Sequence, residues 1–81
     1  MTEIAQRVRT VLGGVLEMDP AAIPADAAPG VIERWDSLRH MTLVAALEDE
    51  FEFRFSDLEM TELLNLPLIL DVVTTKLSAD D

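Results

Sequence analysis

Apolar periodicity is what most constrains this chain: three stretches place hydrophobic side chains three and four residues apart, the spacing of one face of an α-helix. Ile4, Val8, Val11, Leu12 and Val15 form the first stripe; His40, Leu43, Val44, Leu47 and Phe51 the second; Leu70, Val73 and Leu77 the third. The spacing predicts a first helix from about Glu3 to Glu17, with Thr2 available as N-cap and Glu3 favourably placed against the helix dipole. A second helix starts after Asp36. Between them, residues 18–35 hold Asp19-Pro20, Ile23-Pro24 and Pro29-Gly30, which cannot sustain one long helix. Ile23, Val31, Ile32 and Trp35 are expected to tuck this long connection back onto the helices. Ser56 or Asp57 can cap a short helix carrying Leu58, Leu63 and Leu64, and Asn65 with Pro67 can start a last one. The segment from Leu68 to Thr75 is rich in β-branched residues, but its length and start signal favour helix.

The expected fold is therefore all-α, one domain over residues 1–81, with a long connection between helices one and two and a short third helix. A chain of this length buries only about 60% of its unfolded surface, so its Leu, Val, Ile, Ala and Met must supply nearly all of the core. Aromatic residues are 5% of the chain, too few to carry that burial. Gly13-Gly14 interrupts the first stripe at a cost of roughly 1 kcal/mol per glycine against alanine. Either another backbone packs closely there or the helix tolerates the pair, and the sequence leaves both open.

Sixteen acidic residues against six basic ones give a formal charge of −10, which repels nucleic-acid phosphates and anionic membranes. Basic protein surfaces are the expected partners. No cysteine is present, so disulfides and thiolate metal sites are excluded, and any thiol the protein uses must be imported. Acidity alone suggests calcium, but no D-x-[DN]-x-[DN]-G loop occurs. Met1-Thr2-Glu3 leads directly into the first amphipathic stripe, with no signal-type or membrane-spanning apolar run. A cytoplasmic, stand-alone monomer is the expectation.

Asp36-Ser37-Leu38 lies where the Pro/Gly-rich connection turns into the second helix, so Asp36 can cap it and Ser37 falls in its first turn. In isolation such a pair is only a cap. The longer string, Trp35-Asp36-Ser37-Leu38, then Leu43, then Ala46-Leu47-Glu48-Asp49-Glu50-Phe51, resembles without a gap the D-S-L-x(4)-L-x(2)-A-L-E-x-E-F signature of acyl carrier proteins. The helix pattern of the flanks extends the resemblance over essentially the whole chain.

That resemblance implies a four-helix bundle in which a phosphopantetheinyl transferase, using coenzyme A and Mg²⁺, attaches 4′-phosphopantetheine to Ser37, with Asp36 helping to position the transferase. The chain would then hold acyl groups as thioesters and present them to other enzymes, without being an enzyme itself and without a resident metal. The same resemblance makes Leu38, Met41 and Ala45 the apolar part of a docking face and Glu48 and Asp49 its charge, opposite the core stripe. The implied partners are acyl or aminoacyl ligases, ketosynthases or acyltransferases with basic docking patches. Two positions depart from the fatty-acid-synthesis carriers, which usually show acids or small polar residues where this chain has Arg39 and Thr42. The departure favours a polyketide, mixed-peptide or other specialised pathway over fatty-acid synthesis. An acidic helical interaction or regulatory subunit that never carries the arm is the reading from a different class. His40 and Trp35 are expected to be structural, the histidine tilted inward and bonded to the connection and the tryptophan anchoring it to the helix start.

Overall fold

The computed structural model describes residues 2–79. Its elements run α1 (Thr2–Leu16), a 3₁₀ turn (Pro20–Ala22), α2 (Ser37–Phe51), α3 (Asp57–Thr61) and α4 (Leu66–Ala79). Thr2 is the first residue of α1 and not the cap expected of it, because the helix begins one residue earlier than Glu3; Met1 lies outside the described residues.

The core is mainly aliphatic, as the composition requires. Val8, Leu12 and Leu16 of α1 meet Leu43, Leu47 and Phe51 of α2 and Leu66, Ile69, Val72 and Val73 of α4, all buried. The inward face of α4 is rotated from the expected one. Val73 is buried as expected, but Leu70 and Leu77 are only half-buried at its margin, while Leu66 and Ile69 take the centre. Of the three leucines assigned to the third helix, only Leu63 enters the core; Leu58 and Leu64 are exposed.

Helix α1 ends in a Schellman turn. Glu17 takes the left-handed conformation (φ 58°) and the Met18 N–H donates to the Gly13 carbonyl at 2.9 Å. This separates the two glycines. A Cβ on Gly13 would stand 2.7 Å from the Met18 carbonyl oxygen and 3.1 Å from the Pro20 ring, whereas one on Gly14 would meet nothing within 4 Å. Close backbone approach explains Gly13, and simple tolerance explains Gly14.

The long connection is held by turns, by burial and by arginines. Ile23, Ile32 and Trp35 are buried, as expected, together with Ala27. Val31 corrects the expectation: it is 57% exposed, because the turns closed by Val31 and Ile32 on the Ala28 carbonyl aim only Ile32 inward. Arg9 donates to the Ile23 and Pro20 carbonyls. Arg34 donates to the Leu16 and Glu17 carbonyls, where a cation complements the carbonyl end of α1. Leu66 N–H donates to the Ala27 carbonyl at 2.8 Å, tying the connection to the start of α4. The caps are the ones legible in sequence: Ser56 forms a capping box with Glu59, and the Asn65 side chain accepts from Leu68 N–H.

Candidate functional site

The site is built around the start of α2. Trp35, 1% exposed, anchors the chain in the core immediately before the helix. Asp36 follows in extended conformation, and its carboxylate accepts from Arg39 N–H at 2.9 Å, so it is the N-cap. Ser37 is thereby fixed as the first helical residue, and it is exposed. Its hydroxyl, its own N–H and that of Leu38 have no protein partner among the described residues. An exposed hydroxyl thus sits beside two free helix-start N–H groups, an arrangement that suits a phosphate ester.

Around Ser37 the surface is apolar. Leu38 and Met41 are 74% and 72% exposed. An open groove of about 560 Å³ runs beside Ser37, lined by Pro29, Trp35, His40, Met41, Leu63 and Leu64. The periodicity of α2 located Leu38 and Met41 but could not locate Pro29, Leu63 or Leu64. These come from the connection and from the turn between α3 and α4. The one available signal was that Leu63 and Leu64 are adjacent beyond a helix end, so that only one of them can turn inward.

His40 is half-buried, and its Nδ1 accepts from the Trp35 indole N–H at 3.0 Å. This is the structural contact expected of the pair. Burial holds the imidazole below its ordinary value of 6.5, favouring the neutral ring.

The remaining candidates do not share one role. Ala45 and Asp49 are exposed. Thr42 is exposed, and its hydroxyl donates back to the Leu38 carbonyl within α2. Arg39 turns away from this face: its guanidinium donates to the Val15 carbonyl at 2.7 Å, joining Arg34 at the end of α1. Glu48 is half-buried, and its Oε2 accepts from Phe55 N–H at 2.9 Å, bracing the turn after α2. Beyond Glu48 a shallow depression is bounded by Ala45, Asp49, Glu52, Phe53 and Arg54. Five of the six basic side chains are committed to internal contacts, Arg7 to Glu50 and Lys76 to Glu59 among them. The face carrying Ser37 therefore presents apolar groups, the acid Asp49 and, at the depression beyond Glu48, the sixth basic residue, Arg54.

No protein-family model matches the chain. Among curated proteins, an acyl carrier protein of Thermosynechococcus vestitus is 30% identical over 78 residues, covering 96% of each chain. An end-to-end match of that kind leaves no element of the fold outside the comparison: the chain belongs to the acyl carrier protein family.

Proposed function

We propose that Ser37 is the attachment residue for 4′-phosphopantetheine. Acyl carrier proteins bear this group covalently and are carriers, not enzymes; they work with biosynthetic enzymes and with the phosphopantetheinyl transferase that loads them. The observation that carries the assignment is the exposed Ser37 hydroxyl in the first turn of α2, beside the unpartnered N–H groups of Ser37 and Leu38. When bound, the group supplies the thiol that this cysteine-free chain lacks and holds an acyl group as a thioester. The protein's own residues position it. Asp36 fixes the helix start through its bond to Arg39 N–H, which keeps Ser37 outward for the transferase. The helix start favours the phosphodiester charge, and the tether raises the effective concentration of the acyl group at a docked enzyme.

In this reading Leu38, Met41 and Ala45 form the apolar contact with partner enzymes, and Asp49 with Glu48 supplies the charge that meets a basic patch. Rim charges of this kind set encounter rate and partner discrimination. The pathway we favour is a specialised one, polyketide, mixed-peptide or similar, supplied by an acyl or aminoacyl ligase, ketosynthase or acyltransferase. Its support is that position 39 bears an arginine, withdrawn to α1, where fatty-acid-synthesis carriers usually show an acid or a small polar residue. We further place the protein as a cytoplasmic monomer of one domain; no helix among the described residues is long and apolar enough to cross a membrane.

The test is mass spectrometry after incubation with coenzyme A, Mg²⁺ and a broad-specificity phosphopantetheinyl transferase. One phosphopantetheine should be added to the wild type and none to Ser37→Ala. A mass increase that survives in Ser37→Ala moves the attachment elsewhere. An unmodified wild type, under conditions that load another carrier, favours the unloaded interaction subunit instead.

A further inference from the structure

His40 stands three residues after Ser37 on α2 and lines the same groove. Residues at this spacing are neighbours on a helix surface, about 5–6 Å apart at Cβ. The Trp35 indole nitrogen is a donor only. Because it donates to His40 Nδ1, that nitrogen is the unprotonated one, and in the neutral ring the proton sits on Nε2. The rings are roughly parallel, with centroids 6.0 Å apart, and Trp35 is locked in the core. The tautomer is therefore set from below. Nε2–H points to the opposite side of the ring and has no protein acceptor among the described residues.

The charged groups nearby are already engaged. On α2, Asp36 is bonded to Arg39 N–H and the Arg39 guanidinium to the Val15 carbonyl. From the connection, Arg34 is bonded to the Leu16 and Glu17 carbonyls, and Pro29 is apolar. The turn between α3 and α4 contributes only Leu63 and Leu64. Apart from Ser37 itself, His40 is thus the groove-lining side chain with an unspent donor next to the attachment position.

We propose that His40 is a positioning residue for the arm: its Nε2–H donates to the phosphodiester of the group carried on Ser37, with Trp35 fixing the tautomer that makes Nε2 the donor. The inference rests on the assignment of Ser37. It sets the direction in which the arm leaves the helix start, toward the groove bordered by Leu63 and Leu64. Its pH behaviour follows. Burial lowers the His40 value in the unloaded chain, so the neutral, Trp35-bonded form already predominates at 6.5 and is lost as pH falls through the lowered folded value. A phosphodiester anion on Ser37 opposes that shift. With the phosphodiester charge in hydrogen-bond contact, about 4 Å from the imidazolium, and an effective dielectric between 40 and 80, the midpoint rises by roughly 0.8 to 1.5 units.

The experiment is ¹⁵N NMR of the His40 imidazole across pH, before and after loading, with ³¹P NMR of the loaded sample and its mass checked first. The unloaded chain should show the Nε2–H tautomer. Loading should raise the midpoint by roughly 0.8 to 1.5 units, and the ³¹P signal should titrate with that same midpoint. His40→Gln, which keeps a donor, should hold the wild-type ³¹P shift at neutral pH, and His40→Leu should move it and abolish its titration. An Nδ1–H tautomer, or a loaded chain whose His40 midpoint equals the unloaded one, overturns the proposal while leaving Ser37 in place. Failure to load at Ser37, read from the mass, overturns both. The wild-type titration decides the matter even if a His40 variant does not fold.

Discussion

Glu48 and Asp49 are adjacent on the outward side of α2, yet replacing them should damage different properties. Glu48 Oε2 accepts from the amide of Phe55, a residue only 5% exposed, at 2.9 Å. Glu48→Ala leaves that donor without its acceptor, and an orphaned buried donor costs about 1–3 kcal/mol. Water can reach part of this turn, since Glu48 is half-buried, so the lower half of that range applies, about 1–2 kcal/mol. In a domain of this size each kcal/mol corresponds to about 4–8 °C in Tm. Glu48→Gln keeps an acceptor oxygen and should recover more than half of the loss. Asp49 is exposed with no hydrogen bond or ion pair among the described residues, so Asp49→Ala should stay within about 0.5 kcal/mol of wild type. Its cost should appear instead as slower acyl transfer to a partner with a basic patch, chiefly at low salt. Urea unfolding followed by helical circular dichroism measures the first quantity, and transfer from fully loaded protein at two salt concentrations measures the second. Equal unfolding midpoints for Glu48→Ala and Asp49→Ala would refute the assignment of Glu48 as a brace.

The adjacent glycines offer a second test by thermal unfolding: Gly14→Ala should stabilise by about 0.5–1 kcal/mol, while Gly13→Ala, whose Cβ meets the Met18 carbonyl at 2.7 Å, should destabilise by about 1–3 kcal/mol. Arg39→Asp with Thr42→Glu should improve turnover by fatty-acid-synthase enzymes and weaken the reaction with the cognate partner, measured as transfer rates. Because Arg39 bonds to Val15, the same double variant should also lose about 1 kcal/mol or more, and Arg39→Gln with Thr42→Glu separates that loss from the docking effect. The Glu59 carboxylate is held below its ordinary value of 4.5, first by the Ser56 N–H and then by Lys76. Its contribution is therefore complete above that value and lost as pH falls through the lowered one. Glu59→Gln should flatten the acid limb of the stability profile measured by urea unfolding.

Much of the molecule is readable without coordinates because it depends on neighbours in sequence. Most of the α2 stripe appears as read, with Leu43, Leu47 and Phe51 buried, His40 and Val44 half-buried at its edge, and Leu38, Met41, Thr42, Ala45 and Asp49 outward, since a helix converts spacing directly into faces. Asp36, Ser56 and Asn65 cap where expected, because a cap bonds an amide two or three residues away. The exposure of Ser37 at a helix start belongs to the same class, as it needs only the Pro-rich segment before it and the amphipathic run after it.

What required the tertiary structure is every choice made between elements. Gly13 and Gly14 are identical in sequence terms, and only the return of Met18 and Pro20 over the end of α1 makes one indispensable. Val31 and Ile32 are both β-branched, and the turn on Ala28 decides which is buried. Arg39 and Glu48 lie at or beside the predicted docking face, but long side chains at a face margin take the strongest unpaired partner within reach. For Arg39 that is a carbonyl at the end of α1, and for Glu48 it is the amide of Phe55. The groove beside Ser37 joins Pro29, His40 and Leu64 from three separate segments. Periodicity determined the faces of α2 and the position of the serine, while packing rotated the inward face of α4 onto Leu66 and Ile69 and decided which side chains are free to meet anything else.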